Sequence, residues 1–213
     1  MKTDELITML AAGAAPVEPR ATQRRYLSAL GWGAFGSTLL MAMLLGVRPD
    51  LAAAARLPLF WVKLAFPALL CGAALYAATR LSRPGMRAPH APFLLAAPVA
   101  AIGALAVGSL LGATGAERQA LIFGESWQEC PISITLLALP AFAAALWAMK
   151  GLAPTRPAQA GAATGLLAGA MGALVYALHC PEMAAPFLAV WYLLGMLIPA
   201  AAGALLGPWL LRW

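Results

Sequence analysis

The side chains able to hold a metal or undergo redox chemistry gather in two short peptides, Glu129-Cys130-Pro131 and His179-Cys180-Pro181-Glu182. Each sets a cysteine before a proline, at the end of a long apolar run, where a membrane span should meet water. The proline restricts the backbone on both sides of its peptide bond and so can fix the direction of the thiol. Two chemistries suit such a pair. One is a redox or thiophilic-metal sensor, in which a bridge or a soft ion ties Cys130 to Cys180, with His179, Glu129 and Glu182 as supporting ligands. The other is a structural disulfide that never opens, which needs the two Cα atoms within about 7 Å. The third cysteine, Cys71, lies mid-span in Leu69-Leu70-Cys71-Gly72 and is expected to act as a small hydrophobe. With no C-x-x-C pair and two histidines, a zinc-finger framework is excluded.

Lys63, in Phe60-Trp61-Val62-Lys63-Leu64, is the one basic residue well inside an apolar stretch. An intramembrane charge marks a functional site with a partner. From its height the carboxylates of Glu125 or Glu129 are candidates, against a snorkelling lysine that reaches the nearby interface, which is the expectation adopted. The N-terminal segment is another candidate. Thr3 can cap a short helix with Asp4 and Glu5 against its positive dipole end, and Leu6, Ile7 and Leu10 then share one face. So short a helix is marginal alone in water. A partner protein's groove or the membrane surface would stabilise it, and the acidic pair disfavours anionic lipid, so a protein partner is expected.

The elements that must position these groups are membrane helices. The 213 residues are 62% hydrophobic and 10% charged, against about 25% charged in soluble domains. Six stretches are long enough to cross about 30 Å of hydrocarbon: Leu27 to Val47, Leu57 to Thr79, Ala91 to Leu111, Ile132 to Met149, Ala160 to Leu178 and Pro186 to Leu211. Backbone groups in lipid must be satisfied internally, so an all-α polytopic bundle is predicted. Residues 1–26 form an N-terminal segment and 27–213 the six-helix membrane domain. No cleavable signal peptide is expected in the polar first 26 residues. With the N-terminus inside, ten basic residues (Lys2, Arg20, Arg24, Arg25, Arg80, Arg83, Arg87, Lys150, Arg156, Arg212) fall on the cytoplasmic side and three (Arg48, Arg56, Arg118) opposite. That asymmetry predicts cytoplasmic termini and outward-facing Cys130 and Cys180. The net charge of +6 then belongs to loops rather than to a nucleic-acid surface. Glycines four apart (Gly161, Gly165, Gly169; Gly203, Gly207; Gly108, Gly112) predict faces where helices approach closely.

Taken together, Thr3-Asp4-Glu5-Leu6-Ile7 with Leu10 and Pro16-Val17, Arg48-Pro49-Asp50-Leu51, and the Trp61/Lys63 pair resemble the NrsF-like negative regulators of sigma factors. Arg83-Pro84-Gly85, Glu125-Ser126-Trp127 with Cys130-Pro131, His179-Cys180-Pro181-Glu182, Trp191-Tyr192 with Gly195, and Gly203 to Gly207 with Arg212-Trp213 extend the resemblance over essentially the whole chain. It implies an inner-membrane anti-sigma factor, not an enzyme. Such a protein holds an extracytoplasmic-function sigma factor, makes no direct contact with nucleic acid, has no resident cofactor beyond a transient thiophilic metal ion, and releases its partner under stress. The resemblance assigns stress sensing to Cys130 and Cys180 and sigma docking to Leu6, Ile7 and Leu10. A membrane thiol-disulfide oxidoreductase is the rival reading; it would normally carry C-x-x-C. A small transporter would show inverted repeats and midplane polar groups, and neither is evident.

Overall fold

The computed structural model describes residues 3–12 and 21–212; Lys2, Pro16, Val17, Arg20 and Trp213 lie outside the described residues. The elements in order are α1 (Thr3–Ala12), α2 (Ala21–Leu44), α3 (Leu51–Ala54), α4 (Pro58–Leu81), α5 (Ala91–Leu111), α6 (Gly115–Phe123), α7 (Glu129–Lys150), α8 (Pro157–Tyr176), α9 (Ala185–Phe187), a π-helical turn (Leu188–Tyr192) and α10 (Leu193–Leu210). Among the described residues no strand is present, and six helices are long and apolar enough to cross a membrane, the last running without a break through the π turn as Ala185–Leu210. The predicted all-α bundle is therefore observed. The third span matches its predicted ends, and the others shift by one to six residues.

Proline sets several helix starts, at the first or second position of α4, α5, α8 and α9, where its missing N–H has no intrahelical role. Thr114 caps α6 in a reciprocal box with Glu117: the Thr114 backbone N–H and hydroxyl donate to the Glu117 carboxylate at 2.8 Å, and the Thr114 side chain faces the Glu117 backbone N–H in return. These bonds, the backbone one first, hold the Glu117 carboxyl below its ordinary range. Thr3 is itself helical within α1 rather than a cap outside it, and Asp4 and Glu5 lie beside it near that end. Pro67, Pro98, Pro140 and Pro199 lie inside spans, joined by Pro208.

Helix α8 is the axis of the bundle, with 72% of its apolar window buried against 17% for α5, and it packs on α10, α7 and α4. Its small residues make this arrangement. A side chain at Gly161 would strike the carbonyl of Gly203, one at Gly165 the carbonyl of Pro199, and one at Gly172 the Ile134 carbonyl at 2.7 Å. The α8–α10 contact is thus backbone against backbone, the geometry that small residues permit in lipid. Further along α7, Gly33 lies against Ala141 and Gly36 against Pro140. Gly108 and Gly112 depart from the prediction. A Cβ on Gly108 would meet nothing within 4 Å and one on Gly112 only its own helix, because α5 packs mainly on α4 and α9 through other positions.

Candidate functional site

At one end of the bundle the connections α2–α4, α5–α7 and α8–α9 converge. The last is an irregular strap, residues 177–184, and it carries the second Cys-Pro peptide across the helix ends. Leaving the helix frees backbone carbonyls along the strap, and buried carbonyls must find donors. The Cys180 carbonyl accepts from two cations: Lys63 Nζ at 2.5 Å from α4 and Arg48 Nη1 at 3.2 Å from the α2–α4 loop. The Arg48 backbone N–H donates to the Leu178 carbonyl at 3.1 Å, and His179 Nδ1 lies 2.9 Å from the Gly46 carbonyl. One strap is thereby tied both to α4 and to the loop that follows α2.

Lys63 corrects the sequence expectation. It neither snorkels nor pairs with Glu125 or Glu129; it is fully buried, with its ammonium over the Tyr192 ring at 5.5 Å as well as on the carbonyl. The physical reason is local: the strap's unwound backbone offers Lys63 a buried acceptor in the Cys180 carbonyl, so the side chain need not reach water, while Glu125 and Glu129 are exposed. Arg48 forks onto Asp50 through Nε and Nη2, both at 2.7 Å. Its guanidinium holds the Asp50 carboxyl below the usual range, and the same bond raises Arg48.

Both Cys130 and Cys180 are fully buried at this end of the bundle rather than open to water. Cys130 falls in the first turn of α7, not before it, and points into the bundle. The two share one apolar cluster with Ile134, Tyr176, Phe187 and Tyr192, and they lie within electrostatic range of each other and of Lys63. Both are free thiols, as is the half-buried Cys71, which packs in the core as predicted. The hydroxyls of Tyr176 and Tyr192 approach the Cys180 thiol, but that of Tyr192 is outside hydrogen-bond geometry and is buried without a partner.

The remaining predicted ligands are engaged elsewhere. Glu182 accepts the Glu125 N–H at 2.9 Å and closes over Gly124, whose positive φ of 54° suits glycine and whose missing Cβ leaves room for the carboxylate. His179 faces Gly46, and Glu129 is exposed at the start of α7. Among the described residues no group of three or more His, Cys, Asp or Glu side chains is placed to hold a metal, so any soft ion would depend on the two thiols. Trp191 Nε1 donates to the Ile122 carbonyl at 2.8 Å and stacks with Trp127 and Phe123, binding the loop after α6 to the π turn. In α1, Leu6, Ile7 and Leu10 are all exposed. Arg48 and Asp50 were missed as site residues, although a charge pair flanking a proline at a span end was a readable signal.

Six helices long and apolar enough to cross a membrane, closed at one end by a cation-clamped strap over two buried thiols, define a polytopic helical membrane bundle. The comparisons with known proteins name the family: NrsF, described as "Negative regulator of sigma F", matches residues 10–213, and the chain belongs to that family. It is 55% identical over all 213 residues, and over the whole length of both chains, to the "Probable anti-sigma-F factor NrsF" of Azospira oryzae. It is 43% identical, again end to end, to the "Anti-sigma-F factor NrsF" of Caulobacter vibrioides. No solved structure matches. The family match begins at residue 10, so Leu6 and Ile7 lie before it.

Proposed function

We propose that this chain is an anti-sigma factor of the bacterial inner membrane with both termini cytoplasmic. It holds an extracytoplasmic-function sigma factor through Leu6, Ile7 and Leu10 and releases it when Cys130 and Cys180 are modified. The observation that carries this reading is the end-to-end similarity to two proteins named anti-sigma-F factors. The charge asymmetry across the spans supports the orientation, and the three exposed apolar side chains on α1 support a helix-in-groove contact.

The mechanism follows from burial. A fully buried thiol reacts only when its cover opens, so the strap gates access to Cys180. Two-electron oxidation would join the two sulfurs in a disulfide, with loss of two protons and transfer of both electrons to the oxidant. A soft metal ion, if bound, would be held by the Cys130 and Cys180 thiolates, with release of their protons to solvent. Either event draws the strap toward α7 and changes its grip on Lys63 and Arg48. Because α8, continuous with the strap, meets α10 backbone to backbone, it can move only together with its neighbours, which carries the change to the opposite face. A difference of about 1.4 kcal/mol between the two states changes sigma affinity tenfold.

Co-purification tests the docking half of this proposal. The cognate sigma factor should be retained by the full-length protein in detergent and lost with Leu6→Ala plus Leu10→Ala. Retention undiminished by that double substitution would overturn the assignment of α1.

A further inference from the structure

The opposite end of the bundle holds a feature that sigma binding and thiol sensing do not use. Helices α2 and α4, the first two spans of the chain, barely touch. Between them runs a groove of about 610 Å³. Arg80 and Arg83 stand at its mouth; Leu27, Leu75 and the open flank of Gly72 line its depth, and among the described residues no carboxylate lines it. A side chain on Gly72 would meet nothing within 4 Å. Two polar atoms near the mouth, Arg80 Nε and Tyr76 Oη, are buried without a hydrogen-bond partner, although the Arg80 guanidinium sits over the Tyr76 ring at 5.6 Å. In a bilayer such donors have little water to turn to, so they call for an acceptor from the ligand side.

We propose that this groove is a binding site for one anionic phospholipid. The phosphodiester accepts from Arg80 and Tyr76, with Arg83 adding the second positive charge. One acyl chain lies along Leu75 and Leu27 over Gly72. The dimensions fit: from Arg80 to Gly72, both in α4, the helix rises about 12 Å at 1.5 Å per residue, most of the roughly 15 Å that one leaflet contributes to the hydrocarbon core. The charge also selects. A zwitterionic headgroup would bring its own ammonium against two arginines, whereas an anionic one brings none.

Native mass spectrometry of the full-length protein in detergent tests this, with phosphatidylglycerol, phosphatidylcholine and inorganic phosphate as probes. Two basic residues near the headgroup predict a preference for phosphatidylglycerol of about 25-fold. Arg80→Gln with Arg83→Gln should erase that preference. Gly72→Phe should weaken retention of phosphatidylglycerol while leaving both arginines in place, and an unchanged thermal transition in each variant shows that the bundle is intact. Equal retention of the two lipids by the native chain, a preference undiminished by the double substitution, or displacement of the lipid by inorganic phosphate alone would each overturn the proposal. So would a double substitution that alters sigma retention but not lipid retention, which would make the groove a protein contact instead.

Discussion

Lys63→Met is the most informative perturbation of the strap. Methionine nearly matches lysine in length, so the substitution opens little cavity, and the Cys180 carbonyl keeps Arg48 at 3.2 Å and is not orphaned. What disappears is a charge-assisted bond at 2.5 Å between two fully buried residues, a class worth about 1.5–3 kcal/mol. Burying the ammonium has its own desolvation cost, which the substitution relieves, so the low end of that range is the better guide. If strap opening exposes Cys180, its labelling rate follows the opening equilibrium. A loss of about 1.5 kcal/mol then raises that rate roughly tenfold. The assay is maleimide labelling in a Cys71→Ala, Cys130→Ala background, which leaves Cys180 as the sole thiol; a Cys71-only background reports whether the whole bundle has loosened. Faster labelling of Cys180 with an unchanged Cys71 rate is the expected result. An unchanged Cys180 rate would refute the claim that Lys63 holds the strap closed.

Two further predictions concern stability in detergent. Gly165→Ala drives a Cβ against the Pro199 carbonyl and to 2.8 Å from the Ala200 Cα. Both are backbone, so α8 and α10 must part, and a loss of about 1–3 kcal/mol should lower the melting temperature; Gly108→Ala, in open space, should leave it level or raise it, and equal shifts in the two would contradict the packing. Asp50, whose carboxyl the Arg48 bond holds below its ordinary range, adds stability that is complete above its unfolded pKa of about 3.9 and is lost as pH falls through the lower folded value. Asp50→Asn should therefore show a smaller drop in melting temperature on acidification below about pH 4 than the native chain, and identical drops would remove Asp50 from the clamp.

Much of the scaffold was legible because lipid imposes a simple rule. Continuous apolar length located all six spans, and Ala91–Leu111 to the residue. The α8–α10 contact followed from Gly161, Gly165 and Gly203, whose spacing has meaning only on a helix. The same spacing at Gly108 and Gly112 misled, because spacing defines a face without saying whether a neighbour covers it. The site was half legible. The sequence marked Cys130, Cys180 and Lys63 as unusual, but Lys63 found its partner in a backbone carbonyl, and no residue type announces which carbonyl a strap will leave free. The π turn at Leu188–Tyr192 likewise has no side-chain signature. The Thr114 to Glu117 box was readable but lay in a loop that hydropathy passed over.

The central claim is that the buried thiol pair is the input to a switch whose output is sigma release. Its most direct test is a sigma-dependent reporter in cells carrying Cys130→Ser and Cys180→Ser together, with protein level checked by immunoblot and cells challenged with a thiol oxidant or a soft metal ion. The reporter should stay at its unchallenged level under both treatments, while the native chain responds to at least one. Full induction in the double variant would contradict it.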